Sequence, residues 1–337
     1  MPRLVDLEFN DMILGPDFCD LKTTAGDGRN LQVAEEYAND AAALRALCHA
    51  TATEKGQQEF TVNFCDARLR VTGLVDDREN SIWLISRAKA ELMALGELNL
   101  PSPVVDAVMA RDLTGIVLTI GSFGVGKTTT AASIFAHRVS QHGGLGLTFE
   151  EPPELDMTGP RGNGRIIQVP INRRPGFFEE MVERGHRSRA ENFFFGEVRN
   201  AQNAIEVQYL AVNDRPIFTT IHGETIWQAL MKFQALCRKK DSSPEALNSM
   251  LAESLAVLIH LSLEMVPTGN GGQARRITPR CLVLGKGDDQ ARAKIRAGDF
   301  RGLADEIGSQ GSIRSFRPGI GAQPDPEPTG LRPWRRA

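Results

Sequence analysis

The sequence predicts an α/β fold in which a parallel sheet carries a phosphate-binding loop, preceded by a smaller α+β domain. Two observations support this fold class. The glycine-rich segment "GSFGVGKTTT" (121–130) directly follows the apolar run "TGIVLTI" (114–120) and precedes a helical pattern that stops at Gly143 and Gly144. From residue 104 onward, predicted strands and helices alternate, as the crossover connections of a parallel sheet require.

The glycine-rich segment fits the pattern G-x-x-x-x-G-K-[ST]. Its glycines allow backbone N–H groups to turn toward phosphate oxygens, with positive φ where needed. Lys127 would place an ammonium on the β- and γ-phosphates, and the Thr128 hydroxyl would ligate Mg²⁺. We therefore expect the chain to bind ATP with Mg²⁺. The predicted nucleotide-binding residues are Gly121, Ser122, Phe123, Gly124, Val125, Gly126, Lys127, Thr128 and Thr129.

Length and composition limit the class of protein. The 337 residues are enough for two domains, and the net charge of −3 gives no global basic field that would indicate nucleic acid, although a local patch remains open. The five cysteines are scattered and odd in number, which favours reduced thiols over a disulfide framework or a zinc site. No stretch approaches about 18 consecutive apolar residues, and the first residues do not resemble a signal peptide. We expect a cytoplasmic protein, which leaves peripheral attachment to a membrane complex open.

Three regions can be marked off along the chain. Residues 1–103 form the predicted N-terminal α+β domain, with a helix-like stretch "NDAAALRALCHATATEKG" and strand-like pieces "EFTVNF", "ARLRVTGLV" and "SIWLIS". Residues 104–316 form the predicted ATPase domain. Residues 317–337 are rich in proline, glycine and charge, so we predict a disordered tail.

The ATPase domain alternates predicted strands with helical patterns. One of these patterns, "EALNSMLAESLAVLIHLSLEM" (245–265), repeats its apolar residues at spacings of three and four and is predicted to be a helix. The other helical patterns are "GFFEEMVERGHR", "NAQNAIEVQYLAV", "TIWQALMKFQALCRK" and a final "DQARAKIRAGDFRGLADEIGSQG". The predicted strands are 115–120, 145–150, 166–169, 192–196, 216–221 and 280–284.

Candidate catalytic residues follow three of these strands. Glu197 comes after the apolar "NFFF" and could orient water for attack on the γ-phosphate, although a strand-end acid without chemistry is the alternative. Glu150 and Glu151 end a second strand; a neighbouring Mg²⁺-nucleotide would explain their adjacency, and an exposed acidic turn is the alternative. His222 ends a third strand and could contact the γ-phosphate or Glu197, whereas a lone histidine is more often structural.

The order of these motifs resembles the secretion superfamily ATPases, the motors of type II and type IV secretion, type IV pili and conjugation. The motifs are a Walker A loop at 121–130, an Asp box "TFEEPPE", an atypical Walker B "FFFGEVRNA" and a His box "IFTTIHG". The resemblance covers roughly residues 55–310 and is closest to the PilT-like and the DotB- or TraJ-like branches. It implies a RecA-like P-loop domain behind a PAS-like N-terminal domain.

The resemblance also implies site residues and partners. Glu197 would be the catalytic carboxylate, Glu150 and Glu151 would support metal and water, and His222 would belong to the His box. Arg78 and Arg87, and less clearly Arg70, match the N-terminal arginines that reach a nucleotide in the same or a neighbouring subunit. Arg187 and Arg199 flank the Walker B strand and could act similarly or hold an interface. The implied assembly is a homo-hexamer, peripheral at the inner membrane, that works with secretion or pilus complex proteins and does not bind DNA directly.

The sequence departs from the family pattern at three places. Val198-Arg199-Asn200 replaces the usual ending of the Walker B motif, so that an amide stands where an acid is expected. The Asp box reads "EEP", and Asn213-Asp214-Arg215 precedes the His-box strand. We interpret these departures as a divergent branch and favour a transfer-system motor over a housekeeping pilus motor.

Three rival functions remain open at this stage. A nucleic-acid-dependent translocase would show DNA-stimulated turnover with a steep salt dependence. A nucleotide-gated scaffold would keep its biological function after Glu197→Gln. A small-molecule kinase is a weaker hypothesis, because no acceptor-binding pattern is seen. The leading hypothesis is an ATP-hydrolysing mechanical motor.

Overall fold

The computed structural model describes residues 3–9, 11–22, 30–87, 92–171, 176–213, 215–238, 243–267, 273–285 and 289–311. The predicted disordered tail (317–337) lies outside these residues. The chain divides into two compact units: the first comprises residues 1–91 with segments 149–156 and 170–181, and the second comprises the remainder. Among the described residues, no helix is both long and apolar enough to cross a lipid bilayer.

The strands and helices follow in chain order. In the N-terminal part they are β1 (Asp11–Leu14), β2 (Cys19–Lys22), β3 (Asn30–Gln32), α1 (Ala38–Lys55), β4 (Glu59–Phe64), β5 (Ala67–Val75) and β6 (Ser81–Arg87). They continue with α2 (Ser102–Val108), β7 (Gly115–Gly121), α3 (Lys127–His142), β8 (Gly144–Glu150), β9 (Gly159–Arg161), β10 (Gly164–Pro170) and α4 (Phe177–Arg187). The last group is β11 (Asn192–Phe195), α5 (Ala201–Ala211), β12 (Pro216–His222), α6 (Ile226–Cys237), α7 (Pro244–Ser254), β13 (Leu255–Pro267), β14 (Gln273–Val283), α8 (Gln290–Arg296) and α9 (Leu303–Gly311).

The first unit contains a sheet against which helix α1 packs. Its strands have the order β3-β2-β1-β6-β5-β4 in the described part of the chain, and each strand pairs antiparallel with its neighbours. Along β5, Leu69 and Val71 are buried while their neighbours are not, which is the period of two expected for one covered face. Helix α1 buries Ala41, Leu44 and Cys48 at helical spacing. The α+β class predicted for the N-terminal domain is confirmed.

The second unit is built on a larger sheet. Its strand order is β14-β13-β7-β12-β11-β8-β10-β9 within the described residues. The central pairs β13/β7, β7/β12 and β12/β11 are parallel. Strands β7 and β11 are buried along their whole length, as their continuous apolar sequence predicts for the centre of a parallel sheet. The α/β class predicted for this part is confirmed.

One predicted helix is wrong over its second half. Helix α7 ends at Ser254, and residues 255–265, predicted to continue it, form most of β13. Strand β13 lies between β7 and β14, and Leu255–Leu261 are buried on both faces. An apolar run covered on both sides has no period of two, so its spacing also satisfies a helical pattern. The final helical segment is present as two helices, α8 and α9.

Four of the five cysteines are buried. All five lie within the described residues and are free. Burial raises the pKa of Cys48, Cys237 and Cys281 to about 12, so these thiols stay protonated at neutral pH.

Candidate nucleotide-binding site

The glycine-rich segment forms a turn between β7 and α3 in the second unit. Gly124 and Gly126 have φ of 74° and 93°, a region that L-residues with side chains rarely adopt. Gly121 is required for a different reason, because a Cβ there would lie 2.7 Å from the Leu261 carbonyl oxygen and from Val125 Cγ1. The backbone geometry predicted for the glycines is therefore present.

The residues of the loop differ in their exposure to solvent. Ser122, Phe123 and Gly124 face solvent, and Val125 is buried beneath them. Helix α3 begins at Lys127, so the first N–H groups of a 16-residue helix open onto the loop. Thr128 and Thr129 lie half-buried in its first turn. A helix N-terminus behind a glycine loop attracts anions through its free N–H groups and its dipole.

Strand β12, which pairs with β7, and the segment that follows β11 both end beside this loop. In the β12/β7 pairing, His222 lies directly opposite Gly121, and Gly223 N donates to the Gly121 carbonyl at 3.3 Å. The segment after β11 is held by the neighbouring strand β12, because Val198 N donates to the Thr220 carbonyl at 2.9 Å. The parallel sheet thus brings residues 196–198 and His222 to the edge where the loop begins.

Four side chains form a connected row at this edge. Lys127 Nζ donates to the Ser122 carbonyl at 2.7 Å and lies 3.3 Å from His222 Nδ1. His222 Nε2 lies 3.4 Å from Glu197 Oε1. The other oxygen of that carboxylate, Oε2, accepts from Arg199 Nε at 2.7 Å. The sequence prediction that His222 contacts Glu197 agrees with this geometry.

The surroundings of His222 favour the neutral form of its imidazole. Burial, followed by the nearby Lys127 ammonium, lowers the pKa of the imidazole, while Glu197 acts in the opposite direction. Because an ammonium has no acceptor, Nδ1 must be the acceptor from Lys127 and Nε2–H must face Glu197. The Phe123 ring stacks on the imidazole at 6.0 Å between centroids and with an interplanar angle of 6°.

Sequence reasoning missed two contributors to this site. Arg199 was named only as a residue that could reach nucleotide or hold an interface, and the contact of its guanidinium with the Glu197 carboxylate was not predicted. Asn200, noted only as a departure from the family pattern, caps α5 by accepting from Asn203 N at 2.9 Å. Asparagine before a helical pattern is a strong N-cap, so this role was readable from the sequence.

The two adjacent acids lie at the end of β8. Glu150 is 3% exposed, and its carbonyl accepts from Ile171 N at 2.8 Å. Glu151 follows at the start of the next turn and is half-buried. Both belong to a segment that groups with the first unit, whereas the glycine-rich loop lies in the second. Their support of metal and water therefore stays a prediction.

The N-terminal arginines have partners inside the first unit. Arg87 Nη2 donates to the Leu7 carbonyl at 3.1 Å, and its guanidinium lies 5.0 Å from the centre of the Phe9 ring. Arg70 pairs with Glu154 at 2.9 Å. Arg78 is exposed in the turn between β5 and β6. The action of Arg78 and Arg87 on nucleotide stays a prediction.

Comparison with known proteins agrees with this architecture. No protein-family model matches the chain. The X-ray structure of the ATPase DotB from Legionella pneumophila is 20% identical, with a TM-score of 0.69 over 90% of this chain and 85% of that one. The pilus retraction motor PilT with bound ADP is 19% identical, with a TM-score of 0.73 over 90% and 87%. The chain has the fold of the ATPases DotB and PilT.

Two further proteins extend the likeness. DotB from Yersinia pseudotuberculosis is 18% identical, with a TM-score of 0.62 over 88% of this chain and 82% of that one. A twitching motility protein from Neisseria gonorrhoeae is 25% identical over 184 residues, which are 53% of this chain and 46% of the relative. The match thus spans about half the length of that curated relative. The resemblance seen in the motifs is confirmed at the level of the fold.

Proposed function

We propose that this chain is an ATP-hydrolysing motor that energises a type IV secretion, conjugative transfer or type IV pilus machine. The observation that carries the proposal is the row Lys127–His222–Glu197 at the carboxyl edge of the parallel sheet, beside a glycine loop that opens onto a helix N-terminus. Ligands of such sheets bind at this edge. The likeness in fold to DotB and PilT supports the same function.

The loop and Lys127 would bind the triphosphate. Backbone N–H groups of the loop and of the first turn of α3 would point at phosphate oxygens. The Lys127 ammonium, now on the Ser122 carbonyl and His222, would exchange these neutral acceptors for charged ones. Mg²⁺, when bound with the nucleotide, would neutralise phosphate charge, and the Thr128 hydroxyl in the first turn of α3 is a suitable ligand.

We assign to Glu197 the role of acting on water. Its side chain is 14% exposed, and one carboxylate oxygen is fixed by Arg199 while the other faces His222. The carboxylate would accept a hydrogen bond from the attacking water, which adds to the γ-phosphorus as the bond to the β,γ-bridging oxygen breaks. The water's proton leaves toward Glu197 and bulk solvent, and ADP and phosphate are released.

His222 would change its hydrogen-bond partners when the nucleotide phosphate binds. When Lys127 moves onto the nucleotide, the neutral Nδ1 loses its donor, and the imidazole must find another partner or turn. Because the other ring nitrogen faces Glu197, a change at the phosphate would reach the carboxylate through one side chain. Such a link could time hydrolysis to nucleotide binding and drive motion between domains.

Assembly and location follow the family expectation. We infer a homo-hexamer, peripheral at the inner membrane on its cytoplasmic side, whose work is passed to membrane-bound secretion or pilus proteins. Support comes from the fold shared with a pilus retraction motor. Arg78 and Arg87 remain the proposed nucleotide-contacting arginines of the first unit.

The test is ATP hydrolysis by the full chain, fractionated by size in the presence of Mg-ATP. Wild type is compared with Lys127→Ala and Glu197→Gln, and with the exposed controls Lys55→Ala and Glu183→Gln. We expect turnover in a ring-sized fraction, lost in the two site variants and kept in both controls. Equal turnover by a monomer would refute the ring. Turnover that requires DNA and falls steeply with salt would favour a nucleic-acid translocase.

A further inference from the structure

Strands β13 and β14 continue past the end of β7. Leu261 of β13 is the last residue paired with β7, opposite Gly121, where the glycine-rich loop begins. Beyond this point β13 and β14 stay paired with each other, from Ser262 opposite Thr278 to Pro267 opposite Gln273. A two-stranded extension therefore projects on the side of the sheet edge where the loop lies.

One face of this extension is apolar and open to solvent. Leu263, Met265 and Ile277 are 48%, 55% and 41% exposed. Leu263 lies directly opposite Ile277, and Met265 lies two residues further along the same strand, so the three side chains share one face. We call these three residues the apolar ribbon face. Grouped exposed apolar side chains generally mark a binding surface.

The apolar ribbon face borders the glycine-rich loop. A Cβ placed on Gly126 would lie 3.6 Å from Ile277 Cδ1, which is ordinary van der Waals distance. Gly126 immediately precedes Lys127, the first residue of α3. The face is therefore continuous with the proposed phosphate site, and a ligand held there by its phosphates would have apolar surface beside it.

We propose that the apolar ribbon face binds the base of the nucleotide whose phosphates the loop holds. This inference rests on the proposed function and deepens it by naming how the rest of the substrate is recognised. A base is joined to its phosphates through a single ribose, so it must lie next to the loop. The base is a flat aromatic ring, and moving it from water onto exposed leucine and isoleucine side chains is favourable because apolar area is buried.

The chemistry of the three side chains determines which bases they favour. Leucine and isoleucine side chains carry no hydrogen-bonding atoms, and the thioether of Met265 is only a weak acceptor. The face can therefore recognise ring area but cannot read the edge of the base. Purine nucleotides, with the larger ring, should bind more tightly than pyrimidine nucleotides, and ATP and GTP should differ little.

The same contact should affect binding and not chemistry. The base is remote from the reacting phosphorus, so its packing is equal in the ground state and in the transition state. Loss of such uniform binding raises KM and leaves kcat unchanged. Inorganic tripolyphosphate has no base, so its binding affinity should not depend on the apolar ribbon face.

The experiment compares Leu263→Thr and Ile277→Thr with wild type and with Leu74→Thr, an exposed strand position in the first unit. Threonine has the β-branched shape that strands favour, and the milder Ile277→Val is made in case the first variants fail to fold. Measured quantities are KM and kcat for ATP, GTP and CTP, and the inhibition constant of tripolyphosphate with Mg²⁺.

We expect KM for ATP to rise about tenfold in each threonine variant, with a smaller rise for Ile277→Val and none for Leu74→Thr. The tripolyphosphate constant should not change, since the phosphate loop is intact. If wild type hydrolyses ATP and the threonine variants have the same KM as wild type, the base site is refuted and the proposed motor function is not affected. A change in ring assembly without a change in KM would also overturn it, because the face would then contact a second copy of the chain. Failure of wild type to bind either ATP or tripolyphosphate would instead refute the proposed function.

Discussion

Arg199 Nε donates to Glu197 Oε2 at 2.7 Å, while the second oxygen of the same carboxylate faces His222 Nε2 at 3.4 Å. The two residues are separated by one position in the chain, so the guanidinium is a built-in partner of the carboxylate that we expect to orient water. The side chain of Glu197 is largely buried and that of Arg199 is about half exposed. Arg199 is therefore a positioning residue, and its removal should change the orientation of the Glu197 carboxylate.

Replacement of Arg199 should slow hydrolysis without weakening nucleotide binding. In Arg199→Ala the carboxylate loses the donor that fixes one oxygen, so we expect kcat to fall by about tenfold with KM within about threefold. Arg199→Lys keeps a cation but loses the planar guanidinium, and should recover part of the loss. Steady-state kinetics on the three proteins, with Arg111→Ala as the exposed control, test this. An increase in kcat would show that Arg199 restrains Glu197 instead.

The depressed pKa of His222 makes stability depend on pH. Burial and Lys127 keep the folded imidazole neutral below the pH at which the unfolded chain begins to take up a proton, about 6.5. The unfolded state then binds more protons, so the free energy of unfolding should fall as pH drops from about 6.5 toward the lower folded pKa. His222→Gln removes this dependence.

The measurement is the difference in urea midpoint between wild type and His222→Gln at several pH values. Above pH 7 the difference is constant, because the imidazole is neutral in both states. Toward pH 5 the urea midpoint of wild type should fall relative to that of His222→Gln. His260→Gln provides a comparison, since burial also lowers the pKa of His260. A difference that stays flat across this range would contradict the assignment of a neutral His222.

Much of the site was readable from the sequence because its local patterns are strong. A buried strand, a glycine loop and a helix are each marked by residue type, which is why β7, the turn and α3 were predicted within one or two residues. Glu197 and His222 were expected at one edge of the sheet because the carboxyl ends of parallel strands share that edge, and their roles stay predictions. Their mutual contact follows from the pairing of β11, β12 and β7.

Other features depend on contacts between distant residues and could not be read locally. The second half of the predicted helix became β13 because β7 and β14 cover both of its faces, and this burial hides the alternation that marks a strand. The extension of β13 and β14 past β7 creates the apolar ribbon face. It is determined by the register in which these strands pair. The link between Arg199 and Glu197 depends on the course of the backbone after β11, which the residue types alone do not determine.

Gly126 should be intolerant of a side chain for reasons of backbone and not of space. Its φ is 93°, and a Cβ would meet only Ile277 at ordinary contact distance. Gly126→Ala should therefore cost about 1–2 kcal/mol of unfolding free energy through strain, and should weaken nucleotide binding by re-aiming the loop. Gly96 has open space and no positive φ, so Gly96→Ala is the matched control in the same unit and should be nearly neutral. Chemical denaturation and titration with Mg-ATP measure the two effects, and equal stability of the two variants would contradict the strain argument.

Asn200 should be replaceable by the acid that the family pattern has at this position. Its side chain accepts from Asn203 N at the start of α5, and Asn203 Nδ2 donates in turn to the Glu197 carbonyl at 3.4 Å. Asn200→Ala should lower the free energy of unfolding by about 1 kcal/mol, because the cap is lost, and should lower kcat because the backbone at Glu197 is less well held. Asn200→Asp keeps the acceptor and adds a charge that the helix dipole favours, so it should match or exceed wild-type stability.

Chemical denaturation and steady-state kinetics on both Asn200 variants test this prediction. If Asn200→Asp loses as much stability and kcat as Asn200→Ala, the residue has a role other than capping α5.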